Sequence, residues 1–360
     1  MSVLKIMIAG GGTGGHIFPA LALAEAFRAR DPKMEILFIG TAKGLEQKLV
    51  PERGYPIKLI PVKRLKGEYW TDRIRTVTGI PKALFGSARL IKGFQPDLVV
   101  GVGGYSSGPV VLMAKLMGKK TVLQEQNSVA GITNRILGRF ADRVFTHFPE
   151  SNRFFKKPVF CLGNPVRPDF LEQFAKTEKR GLLFTVLVVG GSQGAKRLNE
   201  AVTGALRPDF RDRIRFIHQT GENDFRSVAE AYHQGGFKAE VFPFSNKMGE
   251  YFKEADLVIA RAGAMTITEL AVSGRPSILV PYPFAADNHQ QKNAEYLVQA
   301  GAARLLPNDQ ATGEKIAEIF DEFLKDRALL KTMGEKAKNL GRPLAAQQIV
   351  ENCWEWIRHV

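Results

Sequence analysis

The run Val3-Leu4-Lys5-Ile6-Met7-Ile8-Ala9-Gly10-Gly11-Gly12-Thr13-Gly14-Gly15-His16 passes from an apolar, strand-like segment straight into a cluster of glycines. Aliphatic and β-branched residues suit a strand. Glycine allows a turn whose backbone N–H groups converge on an anion, and a following helix adds the positive end of its dipole. The second half repeats the passage, from Thr185–Val189 into Gly190-Gly191-Ser192-Gln193-Gly194. One such turn is weak evidence. Two, at equivalent points of successive α/β segments, predict a pair of Rossmann-like domains with parallel sheets facing across a nucleotide cleft.

Short β-rich runs alternate with amphipathic stretches around these two passages. Strands are predicted at Leu4–Ala9, Ile36–Ile39, Leu98–Val102, Thr121–Gln124, Arg143–Thr146 and Val159–Leu162. The second half supplies Thr185–Val189, Arg215–His218, Glu240–Phe242, Leu257–Ala260, Ser277–Val280 and Ala303–Leu306. Strand, helix, strand at this spacing makes an α/β fold with helices on both faces of each sheet. The natural hinge is Gly163-Asn164-Pro165-Val166-Arg167-Pro168, where two prolines interrupt regular structure. The expected division is residues 1–162, residues 163–342, and a last helix in 343–360 whose Trp354, Trp356 and Ile357 pack it back towards the first domain.

The chain has 360 residues and a net charge of +15, unevenly spread: residues 1–160 carry 25 Lys/Arg against 11 Asp/Glu, the remainder 26 against 25. An excess confined to one half points to an anionic partner for that half. Residues 43–92 concentrate it, with Trp70, Ile74, Ile80, Leu84 and Phe85 interleaved among Lys66, Arg73, Arg75, Lys82, Arg89 and Lys92. Apolar side chains beside basic ones suit an anionic bilayer surface, and no nucleic-acid-binding motif accompanies the charge. No apolar run reaches the roughly 18 residues of a membrane span and no signal-peptide layout precedes the first strand, so membrane contact is expected to be peripheral. Two cysteines, Cys161 and Cys353, lack metal or redox spacing and suggest a cytosolic chain.

Gly10, Gly12 and Gly15 formally satisfy the dinucleotide fingerprint. That fingerprint also wants an acid at the end of the second strand, which here reads Phe38-Ile39-Gly40-Thr41. The nearest acid, Glu46, lies beyond the turn, which argues against NAD or FAD. Nucleotide-sugar chemistry fits better. After Leu257–Ala260 comes Arg261-Ala262-Gly263-Ala264-Met265-Thr266-Ile267-Thr268-Glu269, and after Ser277–Val280 come Pro281-Tyr282-Pro283 and Asp287-Asn288-His289-Gln290-Gln291-Lys292-Asn293. A carboxylate so placed accepts from ribose hydroxyls, and amides read sugar hydroxyls.

Six motifs, Gly11 to His16, Gly103-Gly104-Tyr105-Ser106-Ser107-Gly108, Glu125-Gln126-Asn127, Gly163 to Arg167, Gly190 to Gly194 and Arg261 to Glu269, resemble in kind and order those of the MurG family. They run from residue 11 to residue 269 of the 360. The resemblance implies a GT-B fold and an inverting transfer of GlcNAc from UDP-GlcNAc to lipid I, undecaprenyl-pyrophosphoryl-MurNAc-pentapeptide. The product would be the β-1,4 linkage of lipid II in peptidoglycan synthesis, with release of UDP, at the cytoplasmic face of the inner membrane. It leaves room for other cell-wall synthesis proteins as partners and none for nucleic acid. Two other classes stay open: a related GT-B enzyme such as a glycolipid glycosyltransferase or a UDP-GlcNAc epimerase, and a non-catalytic nucleotide-sugar-binding subunit.

Carried onto matching positions, the resemblance assigns Thr13, Gly14 and Gly15 to the donor sugar or diphosphate and Asn127 to the GlcNAc. Arg167 and Ser192 would hold phosphates, and the backbone at Ser245, near Phe244, the uracil edge. Ala264, Met265, Thr266, Ile267, Thr268 and Glu269 would line the nucleotide, with Glu269 on the ribose. Gln290, with Gln291 beside it, would bind the sugar. The family often has His before Glu-Gln-Asn, where this chain has Gln124. No Asp-x-Asp pair occurs, so neither a metal site nor a cofactor is expected. Loop N–H groups, a helix N-terminus and Arg167 would stabilise the departing UDP. The attacking 4-hydroxyl needs a base, for which His16 is the first candidate, with Glu125 and Tyr105 as alternatives. An imidazole of ordinary pKa about 6.5 at a helix N-terminus is kept neutral and able to take a proton. The acceptor and membrane side is assigned to Tyr105, Trp70, Arg73, Arg75, Lys82, Leu84, Phe85 and Arg89.

Overall fold

The structure, a computed structural model, describes residues 3–42, 44–62, 70–178, 181–191 and 194–358, without the side chains of 70–79. It divides into two compact units, residues 1–167 with 344–360, and residues 168–343.

The first unit opens with β1 (Lys5–Ala9), α1 (Gly14–Arg30), β2 (Glu35–Gly40), α2 (Glu46–Glu52), β3 (Ile57–Leu59) and α3 (Trp70–Phe94). It continues through β4 (Leu98–Gly101), α4 (Ser107–Leu116), β5 (Lys120–Glu125), α5 (Ile132–Leu137), β6 (Arg143–Thr146) and β7 (Val159–Phe160). All its strands run parallel, in the order β3-β2-β1-β4-β5-β6-β7. The second unit runs α6 (Pro168–Lys176), β8 (Phe184–Val189), α7 (Lys196–Thr203), β9 (Ile214–Gln219), α8 (Phe225–Gln234), β10 (Lys238–Phe242) and α9 (Met248–Glu254). It ends with β11 (Leu257–Ala260), α10 (Ala264–Ser273), β12 (Ser277–Leu279), α11 (His289–Gln299), β13 (Ala303–Leu305), α12 (Gly313–Lys325) and α13 (Arg327–Asn339). Its sheet is also parallel, in the order β10-β9-β8-β11-β12-β13.

Each sheet therefore has one topological switch point, where the chain leaves the first central strand to one side and later returns on the other. In open α/β sheets ligands bind beyond the carboxyl ends of the strands flanking that point. These are β1 and β4 in the first unit, β8 and β11 in the second. Both sheet centres are apolar on both faces, as parallel strands covered by helices require: Ile6, Met7, Ile8 and Ala9, like Val186, Leu187 and Val188, are fully buried.

The observed division differs from the expected one by a few residues. Gly163 N–H donates to the Thr146 carbonyl, and Asn164, Val166 and Arg167 are buried, so the 163–167 segment belongs to the first unit. The last helix, α14 (Ala345–Arg358), lies against α1, with Ile349, Val350, Cys353 and Trp354 in one core cluster with Ile17, Leu21 and Phe27. An Arg30–Glu351 ion pair at 2.9 Å and the Arg30 guanidinium 4.5 Å above the Trp354 ring edge that contact. Strand β3 was not expected: two of its three residues are exposed, so it shows no alternating pattern. Cys161 follows β7 at an exposed position, while burial pushes the Cys353 thiol up to about 12. No helix among the described residues is long and apolar enough to cross a membrane.

Candidate active site

In the first unit the loop after β1 meets the loop after β4. Gly104 has φ +81°, and a side chain there would bring its Cβ within 2.5 Å of the Gly11 carbonyl oxygen. Gly103 has φ +88°, and a Cβ would lie 2.9 Å from His16 Cε1 and 3.0 Å from Nδ1. Glycine is thus required at both positions, by backbone conformation and by space. His16 stands in the first turn of α1, whose N-cap is Thr13; the Thr13 carbonyl accepts from His16 and Ile17 N–H groups at 3.1 Å. Thr13 is exposed, and Gly14, Gly15, His16 and Tyr105 are half-buried.

The third wall of this region is the turn after β5. Glu125, almost fully buried, accepts at Oε1 from Asn127 N–H (2.9 Å) and Asn127 Nδ2 (3.4 Å), and at Oε2 from Gly131 N–H (3.0 Å) and Asn134 Nδ2 (2.9 Å). With both oxygens engaged by its own loop, Glu125 holds Asn127 and Asn134 in place, a geometry that suits shaping better than proton transfer. Gln124, at the position where the family often has His, donates to the Gly163 carbonyl at 3.2 Å. The buried Arg167 guanidinium stacks 4.5 Å above the Phe18 ring of α1. Sequence reasoning missed Gly103 as a neighbour of His16 and Asn134 as a partner of Glu125. The signal for the former was a Gly-Gly pair directly after a strand at the switch point.

In the second unit the loop after β8 closes through Gly190 N–H to Gln219 O (3.3 Å) and Gly194 N–H to Gly191 O (3.1 Å); Ser192 lies outside the described residues. Behind it a buried network locks α7 to β9. Asn199 Nδ2 donates to Thr220 O (3.0 Å) and Asp224 Oδ2 (2.8 Å), leaving its Oδ1 to accept from His218 Nε2 (3.1 Å). His218 Nδ1 must then accept from the Tyr232 hydroxyl at 3.0 Å. Burial pushes the His218 pKa down to about 3, so the ring is neutral.

After β11, Gly263 in extended conformation caps α10, and Ala264, Met265, Ile267 and Thr268 are buried while Thr266 and Glu269 are half-buried. Arg261 does not face a ligand with its Nη1. That nitrogen donates to Val280 O, Pro281 O and Asn308 Oδ1 at 3.0, 3.1 and 2.8 Å, tying the ends of β11 and β12 together, and burial lowers its pKa. Gln290 Oε1 accepts from Tyr282 N–H at 2.9 Å, and Gln291 donates to Glu295 Oε1 at 3.3 Å. Asp287 and Asn288 both take left-handed backbone conformations, and a cavity of about 290 Å³ is lined by Asn288, Gln291, Asn308 and Asp309 with Pro281, Pro283 and Pro307. Ser245 Oγ accepts from Lys247 N–H at 3.0 Å beside the exposed ring of Phe244. Among the described residues no group of three or more His, Cys, Asp or Glu side chains is placed to hold a metal ion.

On the outer face of α3, Lys82, Phe85 and Arg89 are exposed, Phe85 at 75%, while Ala83, Ser87 and Ile91 form the buried face. Leu84 is half-buried. The side chains of Trp70, Arg73 and Arg75 lie outside the described residues.

Residues 6–146 match the glycosyltransferase family 28 N-terminal domain and residues 185–349 its C-terminal domain. The chain is 44% identical over 98% of its length to a Myxococcus xanthus protein named UDP-N-acetylglucosamine--N-acetylmuramyl-(pentapeptide) pyrophosphoryl-undecaprenol N-acetylglucosamine transferase, covering 92% of that protein. A protein of the same name from an Anaeromyxobacter species is 46% identical, with 99% of this chain and 94% of that one covered. Among solved structures, Acinetobacter baumannii MurG is similar at 33% identity and a TM-score of 0.79, covering 98% of this chain and 99% of that one. A Neisseria meningitidis UDP-GlcNAc 2-epimerase shares the fold at 11% identity and a TM-score of 0.70, covering 98% of this chain and all of that one. Two parallel-sheet units with glycine-rich turns at both switch points, joined to full-length similarity of this degree, place the chain in glycosyltransferase family 28, within its MurG branch.

Proposed function

We propose that the chain transfers GlcNAc from UDP-GlcNAc to lipid I, forming the β-1,4 linkage of lipid II with inversion and releasing UDP. The observation that carries this reading is the similarity, over nearly all of both chains, to transferases of that name. In the mechanism we infer, the His16 imidazole takes the proton of the acceptor 4-hydroxyl as that oxygen attacks the anomeric carbon. Positive potential from the start of α1, the loop N–H groups of the second unit and Arg167 offsets the charge developing on UDP. Glu269 accepts from the ribose, the loop near Ser245 reads the uracil, and Gln290 and Gln291 serve the sugar. Gln290 must exchange its bond to Tyr282 N–H for one to substrate. Among the base candidates His16 is preferred over Glu125, whose oxygens are already engaged. No step needs a metal or cofactor.

The acceptor carries a polyprenyl chain, so the enzyme works at a bilayer surface. Exposed Phe85 with Lys82 and Arg89 on α3, Leu116 at the end of α4, and Ile132 and Ile136 on α5 supply apolar side chains beside basic ones on three helices packed in succession. This supports peripheral attachment at the cytoplasmic face of the inner membrane. Acceptor-dependent UDP release is the deciding assay. A 2-epimerase would convert the donor without acceptor, and a binding subunit would release no UDP at all.

A further inference from the structure

Glu46, the first residue of α2, is fully buried, and its carboxylate sits inside the first glycine-rich turn. Oε2 accepts from Gly12 N–H at 2.7 Å, and Oε1 accepts from Thr41 N–H at 2.9 Å and Thr41 Oγ1 at 3.0 Å. Three glycines from two segments make room for it, since a Cβ on Gly11, Gly40 or Gly44 would overlap the Glu46 side chain. Burying a carboxylate is costly unless it is well bonded, and these three bonds engage both of its oxygens. The Gly12 N–H, which an empty glycine loop would offer to a phosphate, is already taken by an anion of the protein. The neighbouring Gly10 N–H is taken by Ile39 O at 3.2 Å.

From Glu46 a continuous set of close contacts runs to the reacting side chain. Glu46 abuts Gly11, the Gly11 carbonyl abuts Gly104, and Gly103 abuts the His16 ring. We propose that Glu46 is a positioning residue for the transfer reaction. It is the resident anion of the first glycine-rich loop, fixing that loop, and through it the His16 imidazole, before any substrate binds. The inference rests on the reading of His16 as the base. It also implies that the Gly12 N–H holds no substrate phosphate.

Glu46→Gln keeps the shape but must turn its NH2 towards either Gly12 N–H or Thr41 N–H, so one donor loses its acceptor. In the full-length enzyme we expect kcat to fall tenfold or more, with calorimetric UDP affinity within twofold of wild type. A displaced imidazole should also lower kcat far more than it raises KM for either substrate. A kcat within twofold of wild type overturns the proposal, and so does a loss of kcat/KM carried by KM alone, which would leave Glu46 a purely structural role. Should Glu46→Gln not fold, Thr41→Val, which removes one of the three donors, decides in its place: a smaller fall in kcat supports the proposal and an unchanged kcat overturns it. Failure of the underlying reading looks different, since wild type itself would then release no UDP on adding acceptor, or His16→Ala would keep its turnover.

Discussion

The imidazole of His16, in the first turn of α1, fills the space that a Cβ on Gly103 would need in the loop after β4, and the two meet because β1 and β4 are neighbours in the sheet. Gly103→Ala adds a Cβ that presses on the ring and strains a backbone at φ +88°. We expect kcat to fall by about 10- to 100-fold through displacement of the base, with UDP affinity nearly unchanged. His16→Ala should cost about 10²- to 10⁴-fold in kcat, the usual worth of a general base. Steady-state kinetics with UDP calorimetry checks both, and near-normal turnover of His16→Ala would remove it as the base.

Glu269→Ala should weaken UDP-GlcNAc binding by about 1 to 3 kcal/mol, the cost of losing a charged hydrogen-bond acceptor. Calorimetry on the full chain reads it directly. Unchanged donor affinity would take Glu269 out of the ribose site.

The buried His218 makes stability depend on pH in a defined window. Its folded pKa of about 3 lies below the ordinary 6.5, so between these values the unfolded chain holds a proton that the folded one does not. Its contribution is whole above pH 6.5 and drains away as pH falls towards 3, at up to about 1.4 kcal/mol per pH unit. Denaturant unfolding of wild type and His218→Gln should show the variant less stable at pH 7 but with a flatter dependence below 6.5. Parallel curves would mean that His218 titrates normally.

Membrane docking should separate from chemistry. Replacing Lys82 and Arg89 by Gln and Phe85 by Ser in the full chain should reduce binding to anionic vesicles and turnover on membrane-embedded lipid I, while sparing a water-soluble acceptor analogue. The basic side chains are worth about 1 kcal/mol each near an anionic surface and are screened by salt. The apolar part should persist at high salt. Equal losses on both acceptors would place these residues elsewhere than at a bilayer.

The parallel sheets were legible because their strands are continuous apolar runs ending in glycine or polar turns, as at Val186–Gly190. Strand β3 was not, since Ile57-Lys58-Leu59 is a short edge whose partners are visible only across the sheet. The prolines at 165 and 168 marked the crossing between units, but the burial of Asn164 and Arg167 that sets its position depends on tertiary packing. Among the candidate residues, Thr13 and His16 in the first unit and Glu269 in the second follow directly from strand–loop–helix punctuation. Glu46 could be read only as an acid in the wrong place for a ribose, because its bond to Gly12 joins residues that the sequence separates by a helix and a strand. Glu125 likewise reads from the sequence as a candidate base, while its bonds to Gly131 and Asn134 are visible only in the fold.

Helix α14 completes the core of the first unit from the far side of an inserted second unit, and this fixes an order of events on the ribosome. At about 5 to 20 residues per second, residues 168–343 take roughly ten seconds or more to make. For that interval the face of α1 that receives Ile349, Val350, Cys353 and Trp354 has no covering. The second unit, encoded without interruption, can fold while the first still waits. The nascent chain therefore passes through a long vulnerable stage, in which the basic first unit keeps an apolar seam open until residues 345–358 have been made.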